Sequence, residues 1–154
     1  MKMQNPAPPP KNSKFSPPAM DALRKENAPQ KTMSPLEIIT KSMDGEGDPQ
    51  QMYAALIKLV ETDPKIRILR ANNSLLIIHN NGNGEADVLF NIADNPSTQV
   101  NSIKEFIQAL KKANFRKINF DVDNYEIIKN IKMAGYEPQM SGVSGNEMSA
   151  TVEF

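Results

Sequence analysis

From residue 34 onward the apolar positions of this chain switch between helical and alternating spacing, and each switch falls at a turn signal. Ser34-Pro35, with Glu37 three residues on, reads as an N-cap, an N1 proline and a capping-box partner. The helix it opens, 35–42, presents Leu36, Ile39 and Met43 on one side and stops at Asp44-Gly45-Glu46-Gly47. Asp48-Pro49 starts a second helix in the same way, with Met52, Leu56, Leu59 and Val60 as its stripe and Tyr53 and Ile57 beside it. Asp63-Pro64 breaks it. Alternation then takes over. Residues 66–70, 74–79 and 86–92 read as strands, joined by Asn72-Asn73 and by Asn80-Asn81-Gly82-Asn83-Gly84, residue types that accept positive φ.

The helical period returns after Asn95-Pro96-Ser97. Val100, Ile103, Phe106, Ile107 and Leu110 form one stripe, and Lys111, Lys112 and Arg116 suit the negative end of that helix. A strand at 117–122 has Ile118, Phe120 and Val122 on one face. Asp123, with Glu126 at N3, caps a helix whose core side is Ile127, Ile128 and Ile131, and Gly135 ends it. Residues 136–140 and 147–154 read as two last strands, the second alternating Met148, Ala150, Val152 and Phe154. The predicted order is α-α-β-β-β-α-β-α-β-β. Hairpin-linked strands predict antiparallel pairing, and the βαβ passage over 86–122 predicts one parallel pair.

Residues 1–33 differ in kind. They hold seven of the twelve prolines, including Pro8-Pro9-Pro10 and Pro17-Pro18, so helix and sheet ladders are both disfavoured there. They carry six basic residues against Asp21 and Glu26, or +4, which leaves −4 on the rest of a chain of net charge zero. The expected organisation is an extended, basic, Pro-rich arm (1–33) followed by one α+β domain (34–154). Phe15, Met20 and Leu23 are its sparse apolar anchors, candidates for docking into another protein.

The run from Val100 to Tyr136, with Asn124 eleven residues before Gly135-Tyr136, resembles the C-terminal half of the GNAT superfamily of acetyl-CoA-dependent N-acetyltransferases. The resemblance covers about 34–154 and implies a mixed, mostly antiparallel sheet flanked by helices. It lacks only the family's first strand, for which part of the arm is the candidate. It also implies a glycine-rich phosphate cradle opening the long helix and a tyrosine acid on the next one. Here the cradle stretch from Ala93 to Ser102 has no glycine, arginine or lysine, and Asp94 adds a repelling charge. The acid position, seven residues after Asn124 and four before Gly135, is Ile131, which has no proton to give. Ser97 and Thr98 are the only cofactor-binding candidates, and only if acetyl-CoA binds. Glu85, Asp87 and His79 are the candidates for a general base, without one standing out, and no catalytic residue is assigned.

Other chemistries are excluded or weak. The chain has no cysteine, so disulfides and thiolate sites are out. Asp44–Asp48 fails as a calcium loop, with Pro49 at the sixth place and Ala55 at the twelfth. No metal site, nucleotide loop or secretory signal is present, and no apolar run reaches the roughly 18 residues of a membrane span. Lys111, Lys112, Arg116 and Lys117 make the only basic cluster of an acidic body, so specific nucleic-acid binding is not expected. With cradle and acid both missing, the expectation is a non-catalytic interaction protein without a cofactor. Its analogues are the acetyltransferase-like proteins of short-tailed bacteriophage virions, anchored through residues 1–33 and placed in the virion or host cytoplasm. The alternative is a divergent N-acetyltransferase using acetyl-CoA.

Overall fold

The computed structural model describes residues 30–122, 125–144 and 147–154. Its elements are α1 (Pro35–Met43), α2 (Pro49–Thr62), β1 (Ile66–Ala71), β2 (Ser74–Gly82), β3 (Glu85–Ile92), α3 (Pro96–Lys112), β4 (Lys117–Val122), α4 (Tyr125–Met133), β5 (Gln139–Ser144) and β6 (Glu147–Glu153). The order is the one predicted, with the fifth strand starting at Gln139 rather than at Tyr136. Phe15, Met20 and Leu23 lie outside the described residues.

Local chemistry accounts for the boundaries. The Ser34 hydroxyl accepts from the Glu37 N–H, and the Glu37 carboxylate accepts from the Ser34 N–H, so the capping box is closed on both sides. The Asp48 carboxylate accepts from the N–H groups of Gln50 and Gln51. Asn72, Asn83, Gly82 and Gly84 take positive φ in the two hairpin turns, where L-residues other than Asn and Asp are costly.

Six strands form one sheet in the order β1-β2-β3-β4-β6-β5. Every pair is antiparallel except β3 with β4, which is parallel. This is the mixed sheet flanked by helices that the element order predicts. α3 and α4 cover one face. Ile103, Phe106, Ile107 and Leu110 of α3 and Ile131 of α4 pack on Ala86, Val88, Ile118, Phe120, Ala150 and Val152. Each large apolar side chain so buried contributes roughly 1.5–3 kcal/mol. α1 and α2 cover only part of the other face, with Ile38, Ile39 and Leu56 against Leu75, Ile68 and Ile77.

Two helix readings change. In α1, Ile38 and Ile39 are the fully buried pair. In α2 only Leu56 is buried, while Leu59 and Val60 are 44% and 37% exposed. The apolar spacing of α2 is regular, but only one side of it finds α1 and β1 to lean on.

Candidate functional site

The parallel pair β3–β4 is short. Glu85 pairs with Lys117, Ala86 with Ile118 and Asp87 with Asn119, and there the ladder ends. β3 runs on to Ile92 and β4 to Val122, each held by its outer neighbour, β2 or β6. The two strands therefore part in the middle of the sheet. Residues 88–92 of β3 present backbone groups toward a gap where a strand neighbour is missing. A cavity of about 280 Å³ opens at the point of parting, lined by Asp87, Val88, Asn119, Phe120, Asp121 and Ser149. The gap faces the carboxyl ends of the parallel strands, with α3 and α4 starting beside it. Ligands of α/β sheets bind in such crevices.

On the face not covered by α3 and α4, the strands carry a polar row. His79 of β2 is the register partner of Asp87, Asp87 of Asn119, and Asn119 of Thr151. The Asn119 amide donates to Glu85 at 3.0 Å and to Asp87 at 3.3 Å, and accepts from the Thr151 hydroxyl at 2.9 Å. Ser149 donates to Asp121 at 3.2 Å. Glu85 also lies 4.0 Å from the Lys117 ammonium. The imidazole of His79 shares a hydrogen bond with Asn81. All three general-base candidates thus converge on neighbouring strands, and Asp87 stands at the vertex of the gap. Sequence spacing does not reveal this convergence, because strand register brings it about.

The connection from β3 to α3 is pinned at almost every polar group. Ala93 N–H donates to Asn73 O, and Lys41 Nζ donates to Ala93 O. The Asp94 carboxylate is buried and accepts from the Asn73 N–H, the Ser74 and Ser102 hydroxyls and the Gln30 amide. Gln99 donates to Asp94 O and accepts from Asn130 of α4, which ties the two helices together. Asp94 is therefore not a charge aimed at the crevice, as the sequence suggested, but an internal hub of hydrogen bonds. Ser97 and Thr98 fall in the first turn of α3, as expected, with the Thr98 N–H turned back to Asn95 O. Ile131 is fully buried in the core. Tyr125 is 68% exposed, with its hydroxyl 3.5 Å from the Met148 sulfur. Among the described residues no group of His, Asp and Glu is placed to hold a metal ion, and no helix is long and apolar enough to cross a membrane.

No family model and no curated protein sequence matches the chain. Solved structures do. The N-acetyltransferase PseH of Campylobacter jejuni, in complex with acetyl coenzyme A, superposes with a TM-score of 0.54 at 10% identity, over 79% of this chain and 92% of that one. A putative acetyltransferase of the GNAT family from Desulfovibrio desulfuricans gives 0.52 at 8% identity, over 82% and 96%. A variant of spermidine N-acetyltransferase SpeG from Vibrio cholerae gives 0.51 at 13%, over 76% and 87%. At such identities the likeness is one of fold, and the fold is GNAT-like.

The expectation of a non-catalytic virion component is overturned by these matches. The three matched proteins are acetyltransferases or a putative one, and one of them is in complex with acetyl coenzyme A. The virion placement and the expected lack of a cofactor lose their support with it. The physical reason is that the cradle and position 131 are features of residue type. The parted strands offer backbone groups instead, and these leave no mark in the sequence.

Proposed function

We propose that this chain transfers an acetyl group from acetyl coenzyme A to an amine. The observation that carries the reading is the opening of β3 away from β4 beyond Asp87 and Asn119. Backbone N–H and C=O groups inside a fold demand partners, and an extended chain bearing amides supplies them by adding itself as a strand. The pantetheine arm of coenzyme A is such a chain, so residues 88–92 fit it. When bound, the carrier supplies an acetyl thioester.

The rest falls to this chain's own groups. Asp87, at the vertex and only singly hydrogen-bonded to Asn119, is placed to take the proton an acceptor amine gives up, and His79 beside it can share that load. Glu85, Asp87 and Asp121 make the acceptor side acidic, which favours a cationic amine. Ser97 and Thr98, at the first turn of α3, lie where the positive end of the helix favours a phosphate. Ile131 takes no part in proton transfer, so the proton for the departing sulfur comes from solvent.

Isothermal titration of the full chain with acetyl-CoA, followed by a thiol-release assay with a panel of amines, tests the proposal. Saturable binding and amine-dependent thiol release are expected. Absence of binding at millimolar acetyl-CoA overturns it.

A further inference from the structure

Residues 30–33 lie across the β1–β2 turn and the start of α3 as a strap, and three oxygens of that strap sit on three donors of the body. The Gln30 side-chain oxygen accepts from the Asn95 N–H at 2.8 Å. The Lys31 carbonyl accepts from the Asn73 amide at 2.6 Å. The Met33 carbonyl accepts from the Arg70 guanidinium. The donors are neighbours, since the Arg70 guanidinium also donates to the Asn73 side chain, and the Asn73 N–H donates to Asp94, one residue before Asn95. Asn73 holds the strap from both sides, because its side-chain oxygen accepts from the Met33 N–H at 2.9 Å.

We infer that this strap is an autoinhibitory contact. Its three carbonyl-type oxygens occupy a donor cluster of Arg70, Asn73 and the Asn95 N–H that would otherwise receive the oxygens of a phosphate group. The inference rests on the acetyl-CoA reading and concerns how the phosphate end would be held. Residues 93–95 carry no cationic side chain, and the Ala93 and Asn95 N–H groups are already engaged, yet Arg70 supplies a guanidinium beside them once Met33 withdraws. Carbonyl oxygens of a chain are weaker acceptors than phosphate oxygens toward a guanidinium, so a phosphate can displace them. Lifting the strap leaves the Asp94 hub with its Asn73, Ser74 and Ser102 donors, so the body does not depend on the Gln30 contact.

Two measurements on the full chain test this. In the first, coenzyme A affinity is compared between the native chain and Gln30→Ala. Gln30→Ala frees the Asn95 N–H and removes the Gln30 share of the grip, so for a strap closed about 90% of the time binding tightens by up to roughly tenfold. In the second, tryptic cleavage after Lys31 is followed by mass spectrometry with and without saturating coenzyme A. Displacement of the strap predicts faster cleavage in the presence of ligand, a response that a merely structural strap would not give. Saturable binding with no gain for Gln30→Ala, or with cleavage after Lys31 unchanged or slowed, overturns the strap while the acetyl-CoA reading stands. No binding by either protein overturns both.

Discussion

Asp87 and Asn119 are the last register partners of the parallel β3–β4 ladder, and their side chains remain hydrogen-bonded at 3.3 Å where the backbones begin to part. The same pair closes the vertex of the gap and sets a carboxylate at its rim. Position and chemistry thus coincide in one residue.

Asp87→Asn should reduce amine acetylation by about 10²- to 10⁴-fold, the usual contribution of a general base. Asp87 is exposed, so the substitution should change folding stability by no more than about 0.5 kcal/mol. Thiol-release kinetics and urea denaturation, run side by side, separate the two effects. Full activity in the variant would remove Asp87 from the mechanism.

The order of the elements is legible in the sequence because turn residues and capping boxes punctuate it locally. Ser34, Asp48 and the Asn/Gly turns behave as local chemistry dictates. What is not legible depends on which partner an element meets. The stripe of α2 is read from spacing alone as Met52, Leu56, Leu59 and Val60, yet only Leu56 reaches full burial. The site is hidden for the same reason: His79, Asp87 and Asn119 come together through register over some forty residues of chain.

Paired substitutions in α2 check this. Leu56→Ala should cost about 2–5 kcal/mol, as for a large-to-small change in a packed core. Leu59→Ala, at 44% exposure, should cost less than about 0.5 kcal/mol. Urea midpoints with a constant slope give both numbers. Equal losses would mean that the exposed side of α2 is covered in solution.

The start of α1 should respond to acid. The Ser34 N–H, then the Ser34 hydroxyl, hold the Glu37 carboxyl below its ordinary value of 4.5, with the charge of Lys31 adding to them. A carboxylate whose folded pKa is depressed stabilises the fold above its unfolded pKa, and that contribution fades as pH falls through the folded value. The capping contribution should therefore be complete above about pH 5 and decline below about 4.5. Comparing urea midpoints of the native chain and Glu37→Gln from pH 3 to 7 isolates it. The difference between the two should shrink toward acid pH, and a difference independent of pH would exclude the carboxylate.

Asp94 offers the sharpest stability test, because its carboxylate is buried and, among the described residues, is held by hydrogen bonds from neutral groups. The Asn73 N–H and the hydroxyls of Ser74 and Ser102 converge on it from β2 and α3. All three of those residues are themselves buried. Removing the acceptor strands donors that water cannot reach, and each stranded donor costs about 1–3 kcal/mol. Asp94→Ala should therefore lose at least about 3 kcal/mol. Asp94→Asn keeps the shape but replaces one accepting oxygen with an amide that must donate. It sets that amide against N–H and hydroxyl donors, so it should lose stability as well, although the hydroxyls can rotate to accept. The expected ranking is native, then Asn, then Ala, by urea denaturation. A near-native Ala variant would show that the hub is reached by water, and would weaken the case that the β3–α3 connection is rigidly held.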